Sequence, residues 1–132
     1  MIGLDTNILI RFLTQDDPVQ SPRATQIIER QLTEENPGFV SLATIYETVW
    51  VLEKIYKLSD QQVAEVIKGI LQLENLVIQN KQEIYIAMVT LQTGRGSFAD
   101  ALVAAIGLWA DCDYTLTFDR KASRLPGFEL IA

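Results

Sequence analysis

The sequence predicts an α/β fold in which a short parallel sheet of four to five strands is flanked by helices. The first observation is that short apolar runs alternate with longer segments of helical periodicity, the pattern of consecutive βα units. The second is that hydrophobic residues make up 48% of the 132 residues, enough to bury a core. No repeat, low-complexity tract or linker interrupts the chain, so we expect one domain over residues 1–132.

Turn and cap residues separate the predicted elements of the first half. Asp5 ends the opening apolar run, and Thr6 is placed to cap the helix that follows. Ser21 and Pro22 are typical of a helix start, since proline is favoured at the first helical position. The predicted order is a strand over 1–4, a helix over 6–13, a helix from 21 that stops at 36–38, a strand over 39–41 and a helix over 42–57.

The second half has similar boundary signals. Ser59 is followed three residues later by Gln62, which is close to a capping box, and Gly94 ends another helical pattern. The predicted order is a helix over 58–73, a strand over 75–79, a helix over 81–92, a helix that contains Asp100 and runs to about 110, a strand over 114–119 and a last strand over 128–132.

Charge and composition exclude several kinds of protein. The net charge is −6, so the chain lacks a general attraction for nucleic acid, and any RNA bound by it would need a cation between acid and phosphate. Histidine is absent, which removes the usual zinc sites, Ser-His-Asp triads and Cys–His catalysis. These observations turn attention to the acidic residues.

The cellular location is also constrained. Cys112 is the single cysteine, so no internal disulfide can form and a reducing compartment fits. The N-terminal residues do not form a secretory signal, and no uncharged apolar run approaches the length of a membrane span. We therefore expect a cytoplasmic protein that does not enter a membrane.

Four acids are predicted to reach one edge of the sheet. Asp5 follows the first strand, and Glu47 lies about one turn into the helix after the strand over 39–41. Asp100 lies in the first turn of the helix that feeds the strand over 114–119, and Asp119 ends that strand. Active sites of open parallel sheets lie beyond the carboxyl ends of the strands. Four carboxylates there would repel, and Mg²⁺ or Mn²⁺, which prefer carboxylate and water oxygens, would compensate.

Each acid alone also has a purely structural interpretation. Asp100 could cap its helix, and Asp5 could simply terminate a strand. Asp119 could begin a turn with Arg120. Glu47 could point to solvent, although its neighbours in "TIYETVWVL" are apolar and weaken that idea. A shared site is favoured because the structural interpretations together require four coincidences of position.

The ordered motifs "LDTNILI", "YETVWVL", "FADALVAA" and "TFDRKASRLPGFELI" resemble the PIN-domain family, most closely the VapC toxins of bacterial toxin–antitoxin pairs. The resemblance covers nearly the whole chain. It implies a PIN-like single-domain nuclease that acts on RNA with Mg²⁺ or Mn²⁺, forms a homodimer and binds a cognate antitoxin. It carries metal-site roles onto Asp5, Glu47, Asp100 and Asp119, and supporting roles onto Thr6, Asn7 and Thr117.

Ser97 departs from the family pattern, because many relatives have another acid at this position. Its hydroxyl could bind a metal-bound water or cap the helix that contains Asp100, and capping is favoured because serine is a preferred cap residue. The departure bears on the number of metal ions rather than on the family.

The predicted function is metal-dependent hydrolysis of RNA phosphodiesters, in the manner of a toxin of a type II toxin–antitoxin pair. Asp5, Asp100 and Asp119 would hold one or two ions, and Glu47 would orient a water or complete a second site. Several basic residues could guide RNA, although ordinary solvated surface is favoured over a specific contact for each one. They are Arg11, Arg95, Arg120, Lys121 and Arg124.

Two other functions stay open. An aspartyl-phosphate-type phosphotransferase also places an aspartate after the first strand and uses Mg²⁺, but its signature would want an acid where Asn7 stands. A catalytically inactive PIN-fold binding module is weakened by the presence of all four acids.

A further observation predicts that the protein self-associates. The helix around Glu47 is crowded with apolar and aromatic residues, and a chain this small has little core in which to bury them all. These residues are Tyr46, Val49, Trp50, Leu52, Ile55 and Tyr56. For most of them, ordinary core is the expected role.

Overall fold

The computed structural model describes residues Met1–Ala132 and contains five short strands and six α-helices. The strands are β1 (Ile2–Gly3), β2 (Gly38–Val40), β3 (Leu76–Ile78), β4 (Thr115–Thr117) and β5 (Phe128–Leu130). The helices are α1 (Thr6–Thr14), α2 (Gln20–Gln26), α3 (Leu42–Lys54), α4 (Asp60–Leu71), α5 (Lys81–Gln92) and α6 (Phe98–Trp109). A π-helical stretch, Ile27–Gln31, continues α2, and a short 3-10 helix, Ala122–Arg124, precedes β5. The predicted α/β class is confirmed.

The strands are all parallel but are divided between two sheets. One sheet has the order β1-β2-β3, and β4 pairs with β5 in the other. The expectation of one sheet of four to five strands, with Asp5 and Asp119 after adjacent or near-adjacent strands of it, is therefore corrected. The strand before Asp5, β1, bonds to β2, and the strand before Asp119, β4, bonds to β5 in a separate sheet. Strands of two or three residues form only a few backbone hydrogen bonds with each neighbour.

The chain separates into two compact units. The first unit comprises residues 1–58 and 69–79 and contains the three-stranded sheet with α1, α2 and α3. Its core includes Leu9, Val40 and Ile45, of which the last two are fully buried. Gly38 lies in β2 where a Cβ atom would come within 2.7 Å of the Leu32 side chain. Gly38, the last residue of "NPG", therefore has no side chain at a point where the sheet is closely packed.

The second unit comprises residues 59–68 and 80–132, with the β4–β5 pair, α5 and α6. Its fully buried side chains include Val63, Ile67 and Ile84, and Phe98 is 1% exposed. Helices α5 and α6 pack against each other. None of the helices in the chain is long and apolar enough to cross a membrane.

The starts of two helices differ from the sequence prediction. Asp5, rather than Thr6, is the N-cap of α1, since its side chain accepts a hydrogen bond from the Thr6 amide. Helix α2 begins at Gln20 rather than at Ser21, because Asp17 Oδ1 accepts from the Gln20 amide at 2.7 Å. The predicted capping box is confirmed at the start of α4, where Ser59 and Gln62 exchange side-chain to backbone hydrogen bonds.

Helix α3 separates its residues by face. Ile45, Val49 and Leu52 are buried at spacings of three and four residues, while Tyr46 and Trp50 are each 48% exposed. Val49 and Leu52 are therefore core residues, as expected for most of the apolar residues on this helix. Tyr46, Trp50 and Ile55 are the exposed members of that set.

A hydrogen-bonded group at the end of α1 makes the stability of the fold depend on pH. Hydroxyl donors on Tyr56, at 2.6 Å, and on Thr14, at 2.7 Å, together with Arg11 at 3.3 Å, hold the pKa of Asp16 below its ordinary value of 3.8. A carboxyl group whose pKa is lowered in the folded state stabilises the fold above its unfolded pKa. That contribution is lost as the pH falls through the lower, folded pKa.

Tyr56→Phe is therefore expected to lower the free energy of unfolding at pH 7, with the difference shrinking as the pH falls below about 4. The measurement is urea unfolding at pH 7 and at pH 3. Tyr46→Phe on α3 is the matched control, since the exposed Tyr46 hydroxyl has no hydrogen-bond partner in the protein. Equal effects of the two substitutions at both pH values would contradict the role given to Asp16.

Candidate active site

Asp5 stands where the chain turns from the first strand into α1. Its backbone is extended, with φ −85° and ψ 163°, and its Oδ1 accepts from the Thr6 amide at 2.8 Å. A cap in this position satisfies one of the free amides of the first helical turn. The side chain is exposed, and Oδ2 has no donor in the protein, so it is available to a ligand.

Thr6 connects Asp5 to Glu47. The amide of Thr6 donates to Asp5 Oδ1, and its hydroxyl donates to Glu47 Oε1. Thr6 is itself 6% exposed, whereas both carboxylates are exposed. One buried residue thus positions two acids that are 42 residues apart in the sequence, and it leaves one oxygen of each acid without a protein donor.

The exposure of Glu47 corrects one sequence argument. Its apolar neighbours were expected to keep it from solvent, but Ile45, Thr48 and Val49 lie on the buried face of α3 while Glu47 lies on the other face. The sequence gives no signal for the bond to Thr6, because the two residues come together only through the packing of α1 and α3.

Asp100 is the third residue of α6 and lies beside the cap rather than forming it. Ser97 is the N-cap, and its Oγ accepts from the Asp100 amide at 3.0 Å. The capping role expected for Ser97 is therefore confirmed. The Asp100 carboxylate is half-buried and accepts no hydrogen bond from the protein, although its charge is favourable near the positive end of the helix dipole.

Asp119 is held in the turn after β4. Its Oδ1 accepts from the amides of Lys121, at 2.8 Å, and Ala122, at 3.3 Å. Its own amide donates to Thr117 Oγ1 at 3.0 Å, so Thr117 fixes the backbone on which the acid sits. Asp119 is exposed and, like Asp5, keeps Oδ2 without a protein donor.

Each of the four acids has a local environment that suits a hard cation. No lysine or arginine forms an ion pair with any of them, and each carboxylate keeps at least one oxygen without a protein donor. Oxygen donors of this kind are the ligands that Mg²⁺ and Mn²⁺ prefer, so the donor chemistry fits a divalent cation. The structure gathers no group of three or more acidic or cysteine side chains as metal ligands; within the units it brings together Asp5 and Glu47 through Thr6.

Two grooves lie outside these carboxylates. Asn7, the second residue of α1, is exposed and lines a groove of about 300 Å³ in the first unit. A groove of about 650 Å³ in the second unit lies between α5 and α6, and it is mainly apolar. Sequence reasoning missed Arg23, which lines the smaller groove together with Arg11, and only knowledge of how α1 packs on α2 could have paired them.

Comparison with known families identifies the family of the chain. No curated protein matches it. The family model described as PIN domain matches residues 2–127, which is nearly the full length and includes all four acids. The matched span also contains every strand except the last, so the match describes the fold as a whole. With its parallel strands, its helices and this match, the chain belongs to the PIN domain family, whose fold is of the nuclease type.

Proposed function

We propose that this protein is a metal-dependent endoribonuclease and the toxin of a type II toxin–antitoxin pair in the cytoplasm. PIN domains are generally nucleases, and those nucleases generally use divalent metal ions. The observation that carries the proposal is the double use of Thr6, whose amide binds Asp5 and whose hydroxyl binds Glu47. An arrangement that presents two carboxylates with free oxygens suits an acidic protein that must bring a cation to an anionic substrate.

The proposed roles follow from how each acid is held. Asp5, Asp100 and Asp119 would hold one or two Mg²⁺ or Mn²⁺ ions with the oxygens that have no protein donor. When bound, the cation would lower the pKa of a water molecule in the site and neutralise charge on the phosphate. Thr6 keeps Glu47 in place by occupying Oε1, so that Oε2 can accept a hydrogen bond from the attacking water.

The supporting residues act through the acids. Thr117 and the amides of Lys121 and Ala122 fix Asp119 from both sides. Ser97 satisfies the amide of Asp100 and so leaves the Asp100 carboxylate free of a capping role. Preorganisation of this kind reduces the rearrangement needed when charge develops on the substrate.

The experiment is a cleavage assay on mixed RNA with Mg²⁺, with Mn²⁺ and with EDTA. We expect internal cleavage with either metal and intact RNA with EDTA. Transfer of labelled phosphate onto Asp5 would instead support the aspartyl-phosphate-type phosphotransferase. If the RNA stays intact under all three conditions and no protein is labelled, the result would support the catalytically inactive PIN-fold binding module.

We also propose a homodimer and a cognate antitoxin. The exposed aromatic residues Tyr46 and Trp50 on α3 support the homodimer, because they give one face of this helix an apolar surface that a second copy could cover. The mainly apolar groove between α5 and α6 supports the antitoxin, because it could accept apolar side chains of a partner protein.

The dimer predicts a mass twice the 14.8 kDa of one chain in light scattering at micromolar concentration. Trp50→Glu should lower the measured mass toward that of one chain, because a charge in an apolar interface is costly to desolvate. Val103→Glu, which changes a 51% exposed residue on α6, serves as the control. A wild-type mass equal to one chain would contradict the dimer.

A further inference from the structure

The smaller groove of the first unit combines two cations with a short apolar floor. It has a volume of about 300 Å³ and lies between α1 and α2. The floor is formed by Ile8, Ala24 and Ile27, and the cations are Arg11 and Arg23. No acidic residue lines it, although the protein as a whole has a net charge of −6.

The two arginines are prepared for an anion in different ways. Arg11 Nε donates to Gln20 at 2.9 Å, and Arg11 Nη1 pairs with Asp16 at 3.3 Å. These bonds orient the guanidinium and leave Nη2 as a donor. Arg23 is exposed and has no hydrogen bond or ion pair within the protein, so all its donors are available.

The backbone of the groove is also unusual. Helix α2 passes at Ile27 into the π-helical stretch Ile27–Gln31, so the change of helical type begins at the last residue of the apolar floor. Stretches of π-helix are rare and are frequent at functional sites, because the wider turn is less favourable than an α-helical one. The change of helix type at Ile27 is therefore a second feature of the same groove, and it is independent of the two arginines.

We infer that this groove binds one nucleotide of the RNA strand. The phosphate lies against Arg11 and Arg23, and the ribose or base lies on Ile8, Ala24 and Ile27. Asn7, at the other end of the lining, is two residues after Asp5, about 3 Å along the helix axis. Measured along α1, the groove therefore begins within one helical turn of the first acid. The inference rests on the proposed ribonuclease function, since it takes RNA as the substrate.

The observations favour RNA over an acidic partner protein. A helical peptide needs an apolar trough that accepts side chains over several turns. Here the floor consists of three side chains, one of them alanine, in a groove of about 300 Å³. A phosphodiester with one sugar or base is a better match for two guanidinium groups next to so small an apolar surface.

The test measures RNA binding separately from cleavage. Wild type, Arg23→Gln and Arg30→Gln are titrated in EDTA into a fluorescent single-stranded RNA of mixed sequence, with anisotropy as the readout, at several salt concentrations. Arg30 is the matched control, because it is exposed in the same unit and does not line the groove. Thermal melts check that all three proteins are folded.

We expect Arg23→Gln to weaken binding about tenfold or more, the effect of losing one charge-assisted contact. The slope of log affinity against log salt should fall in magnitude by about 0.7, the value for one phosphate contact on a single strand. Arg30→Gln should change the affinity less than about twofold. Polyglutamate should displace the RNA poorly, since it offers neither a phosphate nor a base.

The outcomes separate this inference from the proposed function. If wild type cleaves RNA with Mg²⁺ but Arg23→Gln binds RNA with the affinity and salt slope of Arg30→Gln, the groove assignment is wrong and the ribonuclease stands. If wild type binds RNA through Arg23 but never cleaves it, the groove assignment stands and the ribonuclease is wrong. Efficient displacement by polyglutamate would assign the groove to an acidic protein partner, and an absence of both binding and cleavage would overturn both proposals.

Discussion

Replacing Asp100 with asparagine is expected to reduce Mg²⁺-dependent RNA cleavage by about 100-fold or more, the scale of losing one group that stabilises charge in the transition state. The same substitution should leave the metal-free stability unchanged or raise it by about 1 kcal/mol, since asparagine keeps the shape of the side chain and removes one of the four like charges that the proposed site would gather. Ser97 remains as the cap of α6, and the contribution of one acid near the helix dipole is about 0.3–1 kcal/mol.

Added Mg²⁺ gives a second readout of the same residue. At about 100 times its dissociation constant, a ligand that binds only the folded protein stabilises it by about 2.7 kcal/mol. Wild type should gain stability of this order in thermal melts, and Asp100→Asn should gain much less. Asp113→Asn, which removes an exposed acid of the same unit outside the proposed site, should cleave RNA and respond to metal as wild type does.

A purely structural Asp100 would give the opposite pattern. The variant would then cleave RNA normally, and Mg²⁺ would shift the melting curves of both proteins equally. Ser97→Ala serves as the structural reference, because removal of a serine cap costs about 0.5–2 kcal/mol of stability. A loss of that size in Asp100→Asn, with cleavage retained, would assign Asp100 to the helix start alone.

The largest effect on stability is expected for Ile45→Ala in α3. Ile45 is fully buried in the first unit, and truncation of a buried isoleucine removes transfer free energy and leaves a cavity, at a cost of about 2–5 kcal/mol. Because small proteins have total stabilities of about 5–15 kcal/mol, the variant should unfold at a much lower urea concentration.

Ile55→Ala is the matched control for that experiment. Ile55 follows the last residue of the same helix but is 63% exposed, so its truncation should change stability by no more than about 0.5 kcal/mol. Circular dichroism during urea unfolding reports both variants. Similar midpoints for the two would show that burial in α3 is not what stabilises this part of the protein.

Local sequence signals predicted the features that depend on neighbouring residues. The Ser59 and Gln62 capping box, the bounds of α5 and the cap at Ser97 each arise within a few positions of the chain, and each is present in the structure. Helical periodicity also indicates that α3 has one buried face, although it does not by itself say that Val49 belongs to the core and Trp50 to the surface.

Features that depend on distant residues could not be predicted in the same way. The bond from Thr6 to Glu47 joins positions 41 residues apart, and the pairing of Arg11 with Arg23 along one groove depends on the packing of two helices. The division of five strands between two sheets is likewise set by which backbone groups find partners in three dimensions. The order of the motifs predicted the family, and the assignment of Asp5, Glu47, Asp100 and Asp119 to one metal site stays a prediction.

The spacing of the strands along the chain has a consequence for the kinetics of folding. Residues 4–37 separate β1 from β2 and residues 41–75 separate β2 from β3, whereas residues 118–127 alone separate β4 from β5. Closing a loop costs entropy that grows with the logarithm of its length, so each of the two long connections costs about 1 kcal/mol more than the short one. Proteins rich in distant pairings fold slowly for this reason. We therefore expect the β4–β5 pair to form early during folding and the three-stranded sheet, which carries Asp5 at its edge, to be completed last.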